Sequence, residues 1–281
     1  MRADQLLVER GLAASRSQAQ RLLAAGVRWR MGDAAPWQQV KKNSEDLPQA
    51  AQIELQDASE AAFVSRGGLK LQGALAATGI SAAGKTCLDV GQSTGGFSDC
   101  LLQAGAAAVL GVDVGHGQLH PSLAQHPQVL ALEGINAREL SAEALTASIL
   151  IATQAGFTPE NTKNTLKNDL ITALQHGFDL VVGDLSFISL SLVLPRLAPL
   201  LAAGGQLLLL VKPQFELQPA DIGKGGIVRD AAKYAQVEAK IRRVCADCGL
   251  QVQAWLDSPI QGGDGNREFF VWAGRAAAPC S

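Results

Sequence analysis

Aromatic residues are scarce in this chain, and no apolar run is long enough to cross a membrane. Phe, Trp and Tyr make up 5% of the 281 residues and hydrophobic residues 47%, so a sizeable core must consist mainly of Ala, Leu and Val. The most apolar segment, residues 178–194, is interrupted by Asp179 and Asp184, whereas a membrane helix needs about 20 apolar residues. The charged first ten residues do not form a secretory signal. We therefore expect a cytoplasmic globular protein that has no membrane partner.

Cysteines are few, and their odd number argues against a disulfide framework. Five occur, and two of them form a C-x-x-C pair, Cys245-Ala-Asp-Cys248. Zinc sites of this kind need a second pair of ligands, and His116, His120 and His126 lack metal-ligand spacing. We therefore predict reduced, idle thiols and no metal site.

Net charge is nearly absent, but the basic residues are unevenly distributed. The chain as a whole carries −2, whereas residues 1–42 contain eight Arg or Lys and only three acids. An excess of this kind suits a surface that faces phosphates. A solvated basic surface with no partner would show the same excess, so charge alone leaves both readings open.

The first 57 residues predict a small α/β domain. A short helix begins at Leu6, and a second helix runs over Arg16–Ala25 with Ser15 as its N-cap. Strand-like pieces follow at residues 27–31 and 53–55. Residues 58–64 are predicted to link this domain to a second one, residues 65–281.

The second domain predicts an α/β fold, a doubly wound, mostly parallel, seven-stranded, Rossmann-like sheet. After a helix around Leu69–Thr78, short apolar strands alternate with helical segments, as in repeated βαβ units. Residues 141–176 are long for a connection, so we predict one or two helices there and a possible insertion. The predicted strands are Cys87–Val90, Val109–Val112, Val129–Leu132, Leu180–Val182, Leu207–Val211, Val252–Leu256 and Phe269–Trp272.

A glycine-rich segment follows the first of these strands and opens a helix. It reads Asp89-Val90-Gly91-Gln92-Ser93-Thr94-Gly95-Gly96-Phe97. Its G-x-x-x-G-G spacing differs from the dinucleotide pattern G-x-G-x-x-G and suits a nucleoside that carries an amino acid. A plain strand-to-helix turn is the alternative.

A second glycine-rich segment, residues 79–86, matches the P-loop pattern letter for letter. A P-loop must follow a strand and lead into a helix. Here a predicted helix precedes the segment and a predicted strand follows it. The reversed order argues against a nucleotide triphosphatase.

Carboxylates end the second and third predicted strands. Asp113 could accept hydrogen bonds from ribose hydroxyls, and Glu133 could meet an adenine edge. Each is also an ordinary polar residue for a strand end, so the prediction depends on their occurring together after the glycine-rich turn.

Four more charged residues are predicted to meet at the ligand-binding edge of the sheet. Asp184 ends the fourth strand, Lys212 ends the fifth, Glu268 begins the last, and Lys70 lies on the helix before the first. In parallel sheets, ligands bind at the carboxyl ends of the strands. These residues are therefore candidates for catalysis, with a structural ion-pair network as the alternative.

Several motifs resemble a known protein family over nearly the whole chain. Residues 4–12 and 15–22 resemble an RNA-binding domain first seen in a small-subunit ribosomal protein, and the remainder resembles the FtsJ-like ribose 2′-O-methyltransferases. The combination resembles the TlyA family, often labelled hemolysin A. The motifs that carry the resemblance lie at residues 65–71, 92–97, 113–119, 184–190, 212–216, 225–229 and 258–266.

The resemblance implies S-adenosylmethionine as cofactor and a cytidine ribose in ribosomal RNA as substrate. It places the catalytic set on Lys70, Asp184, Lys212 and Glu268, with Lys212 acting on the 2′-hydroxyl either as a base or as a charge stabiliser. Cofactor contacts are expected from Asp89, Gly91, Ser93, Thr94, Gly95, Gly96, Phe97, Asp113, Glu133 and Asp184. RNA contacts are expected from Arg2, Arg10, Arg16, Arg21, Arg28 and Arg66.

Other functions remain open at this point. A base-nitrogen methyltransferase would carry an Asn/Asp-Pro-Pro-aromatic motif where this chain has Asp184-Leu-Ser-Phe187. An RNA-binding or ribosome-assembly factor without catalysis would keep the small domain and the sheet. A membrane-lytic hemolysin is disfavoured, because no amphipathic cationic helix or membrane span is predicted.

Overall fold

The computed structural model describes residues 1–13, 15–56, 61–154 and 163–275. Residues 58–60 of the predicted linker therefore lie outside the described residues. The chain divides into two compact units, Met1–Leu69 and Lys70–Ser281. Among the described residues, no helix is both long and apolar enough to span a membrane.

The first unit combines two helices with a three-stranded antiparallel sheet in the order β2-β1-β3. Helix α2 has the predicted N-cap, because Ser15 Oγ accepts a hydrogen bond from the Gln18 backbone N–H at 3.2 Å. Helix α1 begins at Ala3 rather than at Leu6, since the Ala3 N–H donates to the Glu45 carbonyl and Asp4 occupies the first turn. The elements are α1 (Ala3–Glu9), α2 (Arg16–Gly26), β1 (Val27–Arg30), β2 (Gln38–Gln39) and β3 (Gln52–Leu55).

The second unit is built on a seven-stranded sheet with helices around it. Its elements are α3 (Gly67–Thr78, which begins in the first unit), β4 (Thr86–Val90), α4 (Gly96–Gln103), β5 (Ala108–Asp113), α5 (Pro121–Ala124), β6 (Val129–Glu133), α6 (Ala142–Gln154), α7 (Lys163–His176), β7 (Phe178–Gly183), α8 (Leu190–Leu197), β8 (Leu201–Val211), α9 (Pro213–Glu216), α10 (Ala231–Asp247), β9 (Leu250–Asp257) and β10 (Phe269–Arg275).

The strand order is β6-β5-β4-β7-β8-β10-β9. Strands β4 to β8 pair in parallel, and β10 runs antiparallel to both of its neighbours. The predicted fold class and the positions of its seven strands are confirmed. Strand β8 begins at Leu201 rather than at Leu207, because Ala-Ala-Gly-Gly at 202–205 interrupts the apolar pattern without ending the strand.

The order of the strands creates the crevice in which ligands bind in such sheets. From β4 the chain moves outward through β5 and β6, and then returns to place β7 on the other side of β4. The carboxyl ends of β4 and β7 therefore flank a topological switch point, where a crevice opens outside the sheet. The segment at 79–86 follows α3 and leads into β4, so the predicted reversal of the P-loop order is also present.

The long connection at 141–176 forms two helices, α6 and α7, as predicted, with residues 155–162 outside the described residues. Leu145 and Ile149 of α6, and Leu170 of α7, are fully buried in the same core as strand residues of the sheet. Burial of side chains of this size supplies roughly 1.5–3 kcal/mol each. Both helices therefore belong to the core of the second unit.

Candidate active site

The turn after β4 needs glycine at its first position. Gly91 has φ +83°, and a Cβ there would lie 2.8 Å from the Asp184 carbonyl oxygen. Asp113 holds the same turn from the neighbouring strand, since its carboxylate accepts from the backbone N–H groups of Ser93 and Gly115, both at 2.7 Å. The backbone can thus pass close to β7 while remaining fixed in position.

A cavity of about 610 Å³ lies beside this turn, at the carboxyl ends of β4, β5 and β7. Of the predicted cofactor residues, those that line it are Gly91, Ser93, Asp113 and Asp184. Among the residues that the structure describes, its wall does not include Asp89, Glu133 or residues 94–97. The wall is completed beyond β6 by residues 135–138, which were not predicted as site residues.

Asp89 lies beneath the turn instead of facing the cavity. It is fully buried and accepts a hydrogen bond from Ser98 Oγ at 2.7 Å, and Ser98 Oγ in turn accepts from Gln92 Nε2 at 2.7 Å. Burial raises the pKa of Asp89 to about 7, although the Ser98 hydrogen bond opposes the shift. Asp89 therefore supports the glycine-rich segment from below.

The raised pKa of Asp89 makes stability depend on pH. A carboxyl whose pKa is higher in the folded chain holds its proton better there, so the free energy of unfolding falls as pH rises from the ordinary value of 3.8 to about 7. We expect Asp89→Asn to remove this fall. Urea unfolding at several pH values gives the free energy of unfolding of the variant relative to that of the parent. This difference should increase with pH up to about pH 7 and stay constant above it. A difference independent of pH would refute the assignment.

Glu133 and residues 94–97 also have structural partners. Glu133 is exposed and accepts from the Gly117 backbone N–H at 2.8 Å. Gly95 is the N-cap of α4 at φ +95°, and Phe97 is buried against Phe270, with ring centroids 6.2 Å apart. These residues fix the loops around the cavity without lining it.

The four predicted catalytic residues lie together as a chain of ion pairs. Lys70 Nζ is 2.6 Å from Glu268 Oε2 and 3.9 Å from Asp184 Oδ2. Lys212 Nζ is 2.6 Å from Asp184 Oδ1, and it donates a hydrogen bond to Ser186 Oγ at 2.7 Å. Two cations and two anions thus alternate in one cluster, which we call the tetrad.

Burial distinguishes the two ends of the tetrad. The Glu268 and Lys70 side chains are 3% and 9% exposed, whereas Asp184 and Lys212 are 21% and 11% exposed, so the difference lies mainly between the two carboxylates. Burial raises the pKa of Glu268, while the nearby Lys70 charge lowers it, and burial has the larger effect. A buried ion pair carries a large desolvation cost, so the Lys70–Glu268 end is suited to support and the Asp184–Lys212 end to contact with a ligand.

A second cavity of about 510 Å³ opens on the other side of the tetrad. Lys70, Lys212 and Glu268 line it, and it shares Ser186 and Phe187 with the first cavity. The tetrad therefore lies where two ligands could approach each other.

Phe187 stands at the junction of the two cavities and was not predicted as a site residue. Its side chain is 90% exposed, its φ is +62°, and its ring centroid lies 5.2 Å from that of Phe215. An exposed aromatic ring held in a left-handed backbone conformation is uncommon outside functional sites. The sequence feature that could have identified Phe187 is the motif at residues 184–190, in which it lies.

Glu216 ties together the two loops that carry Asp184 and Lys212. It is buried, it accepts from the Leu190 N–H at 2.6 Å and from Ser189 Oγ at 2.5 Å, and Lys240 Nζ lies 2.9 Å away. The loop after β7 is thereby joined to the loop after β8. Sequence analysis missed this role, although the motif at 212–216 contained the residue.

The predicted RNA-contacting arginines of the first unit are largely engaged with other groups. Arg2 and Arg16 meet at the buried Asp4 carboxylate, at 3.0 and 3.1 Å, and hydrogen bonding to Arg2 holds the pKa of Asp4 well below its usual value. Arg10 donates to the carbonyls of Gln49 and Ala51. The other three are half-buried: Arg21, Arg66, and Arg28, which pairs with Glu54 at 2.7 Å.

Arg2 and Arg16 nevertheless remain accessible, with side chains 41% and 54% exposed. Arg30 lies over the Trp37 ring at 4.6 Å, and Arg28 lies near it at 5.7 Å. Of the six predicted arginines, the structure thus brings Arg2 and Arg16 together, while Arg10 serves mainly to hold the backbone near β3.

The fold and the site together indicate the class of protein to which this chain belongs. A mostly parallel sheet with an antiparallel β10 inserted between β8 and β9, a glycine turn at its switch point and a cavity beside a cluster of charged residues is the architecture of a Rossmann-like methyltransferase. The FtsJ-like methyltransferase family model matches residues 63–275. The chain therefore belongs to the FtsJ-like methyltransferase family.

Relatives extend the similarity to the first unit. The 16S/23S rRNA (cytidine-2′-O)-methyltransferase TlyA of Mycobacterium tuberculosis is 40% identical over 96% of this chain and 88% of its own length. Hemolysin A of Brachyspira hyodysenteriae is 33% identical over 96% of this chain and 98% of its own. A solved structure from Streptococcus thermophilus that carries a hemolysin name matches 99% of this chain and 90% of its own at 34% identity, with a TM-score of 0.68. The predicted resemblance to TlyA proteins is confirmed.

Proposed function

We propose that this protein transfers a methyl group from S-adenosylmethionine to the ribose 2′-hydroxyl of a cytidine in ribosomal RNA. The observation that carries the proposal is the position of the tetrad, which separates a cavity beside the glycine turn from a second cavity with access to Lys212. The 16S/23S rRNA (cytidine-2′-O)-methyltransferase to which this chain is similar supplies the substrate class. A cytoplasmic location follows from that substrate.

The first cavity fits the cofactor. A Cβ at Gly91 would collide with the Asp184 carbonyl oxygen, so the glycine turn beside this cavity requires glycine. Asp113 still has free acceptor capacity for ribose hydroxyls beside its two backbone hydrogen bonds. Asn136 at the far wall replaces Glu133 as the candidate for an adenine edge. When bound there, S-adenosylmethionine supplies an electrophilic methyl group.

The tetrad prepares the 2′-hydroxyl for attack. A ribose hydroxyl is weakly acidic, so it needs a base or a strongly organised site. In our proposal Lys212 contacts the 2′-oxygen as the neutral amine, after releasing its own proton to solvent, and then takes the proton of the hydroxyl. Asp184 holds Lys212 in place at 2.6 Å, and the buried Lys70–Glu268 pair fixes Asp184 from behind. Orientation of this kind can contribute several kcal/mol to catalysis.

We assign RNA capture to the predicted small domain, residues 1–57, which lies within the first unit and is followed by the predicted linker at 58–64. The exposed Arg2 and Arg16 pair, together with the Arg28, Arg30 and Trp37 surface, offers guanidinium groups to phosphates and an aromatic face to a base. We therefore propose that this unit recruits ribosomal RNA, while the methyltransferase unit performs the chemistry.

Transfer of a labelled methyl group tests the proposal. S-adenosylmethionine with a labelled methyl would be incubated with the protein and with intact ribosomal subunits and free ribosomal RNA in parallel. We expect incorporation into RNA in at least one preparation, and weaker incorporation as salt is raised, because phosphate contacts release counterions. Cofactor binding by calorimetry without any transfer would favour the alternative function, an RNA-binding or assembly factor.

A further inference from the structure

Two polar side chains on the wall of the second cavity have no role in the tetrad. Gln214 lies in the short helix α9, two residues after Lys212, and Asp264 lies on the loop before β10. They touch each other, since Gln214 Nε2 donates to Asp264 Oδ2 at 3.1 Å. They therefore connect the two loops that carry Lys212 and Glu268.

Asp264 is a fixed, ionised carboxylate. Asn266, itself buried, donates to Asp264 Oδ1 from its backbone N–H at 3.0 Å and to Oδ2 from its side-chain amide at 2.8 Å. Although partial burial raises the pKa of Asp264, the hydrogen bonds from Asn266 and Gln214 outweigh it and lower that pKa overall. Asp264 thus accepts hydrogen bonds and cannot donate one.

The carboxylate also determines which end of the Gln214 amide faces it. Only the NH₂ group of an amide can donate to a carboxylate, so Gln214 Oε1 must point the other way. That oxygen is out of contact with solvent, and no donor among the described residues reaches it. An unsatisfied buried acceptor is costly and calls for an explanation.

These two groups lie close to the Glu268 end of the tetrad. A Cβ added at Gly262 would lie 2.7 Å from Glu268 Oε1 and 2.8 Å from Asp264 Oδ1, so the two carboxylates flank the same small residue. A nucleotide whose ribose contacts Lys212 would place its base in the remainder of the same cavity. Lys70, Lys212 and Ser186 supply the donors of this lining, whereas Asp264 presents acceptor oxygens only, and a rotation of the Gln214 side chain would bring its amide oxygen to the base edge.

We propose that Gln214 and Asp264 select cytosine by accepting the two N–H groups of its exocyclic amine. The inference rests on the proposed function and names the specificity determinant of that same site. Uracil carries a carbonyl oxygen in place of the amine, which would face the Asp264 charge and leave Gln214 Oε1 unpaired. Discrimination by one such two-point contact amounts to roughly 10- to 100-fold.

Ribosomal subunits that differ in one nucleotide provide the test. After the methylated position has been mapped, subunits with cytidine or with uridine at that position would be compared by kcat/KM. We expect the parent to prefer cytidine roughly 10- to 100-fold, and Gln214→Met to reduce the preference several-fold. The matched variant Gln218→Met, at an exposed position just after the same helix, should keep the parental ratio.

Asp264→Asn provides a second, opposite test. The new amide can still accept from Asn266 and can donate to the uracil oxygen, so we expect the rate on uridine to rise relative to cytidine. Because each result is a ratio of two substrates, partial loss of folded protein cancels. Parental ratios in both Gln214→Met and Asp264→Asn, or equal rates of the parent on both subunits, would overturn this inference alone. No transfer by the parent to either subunit would refute the proposed function, and this inference with it.

Discussion

Replacing Lys212 by Ala should lower kcat for methyl transfer by about 10³-fold, the usual size of a lost acid–base group. Lys212 touches both Asp184 and Ser186 and lines the second cavity. It is absent from the described wall of the first cavity, so the dissociation constant of S-adenosylmethionine should change by no more than about threefold. Single-turnover transfer and calorimetric cofactor binding measure the two quantities separately.

Lys233→Ala is the matched control for this prediction. Lys233 also forms a 2.6 Å ion pair, with Asp221, but has no place in the tetrad. It should retain parental kcat. If Lys212→Ala kept more than about a tenth of the parental rate, the group would be neither base nor essential charge stabiliser.

Lys212→Arg separates the two roles open to this residue. Arginine keeps the positive charge but does not release its proton in proteins. If Lys212 takes the proton of the 2′-hydroxyl, the arginine variant should be nearly as inactive as the alanine variant at every pH. Parental activity of Lys212→Arg across the pH range would show that the positive charge alone is sufficient.

Gly91→Ala should weaken cofactor binding by at least about tenfold, which corresponds to about 1.4 kcal/mol. The added Cβ meets the Asp184 carbonyl oxygen at 2.8 Å, and φ is +83°, so the turn must move away from β7. That movement shifts both the floor of the first cavity and the strand end that carries Asp184. Calorimetric titration with S-adenosylmethionine measures the effect.

Gly84→Ala shares the left-handed backbone but not the collision. Its φ is +71°, and no atom lies within 4 Å of the added Cβ. It should lower the free energy of unfolding by about 1 kcal/mol and leave cofactor affinity unchanged. Equal cofactor affinities in Gly91→Ala and Gly84→Ala would show that the turn does not form the cofactor site.

The position of the tetrad could be predicted from sequence because it depends on strand ends. Asp184 and Lys212 directly follow apolar strands, and parallel strands bring their carboxyl ends to one edge. We predicted Lys70 and Glu268 as catalytic residues from the family resemblance and from their positions next to the first and last strands. The same reasoning located all of the strands of the large sheet, although not the start of β8.

The rest of the site could not be predicted in this way, because it depends on side-chain direction within strands and loops. Asp89 lies one residue before the end of β4, and alternation turns its carboxylate toward Ser98 beneath the turn. Glu133 ends β6 but bonds to the Gly117 backbone, outside the cavity. The left-handed Phe187 and the paired Gln214 and Asp264 arise from tertiary contacts that no local pattern records.

The most direct test of the proposed reaction is the position of the methyl group on the product nucleoside. Ribosomal RNA from the transfer reaction would be digested completely to nucleosides, and the labelled species compared with standards by chromatography and mass spectrometry. We expect the label in 2′-O-methylcytidine, which should form about 10³-fold more slowly in the Lys212→Ala reaction. Label in a base-methylated nucleoside would contradict the assignment of Lys212 and the tetrad to the ribose 2′-hydroxyl.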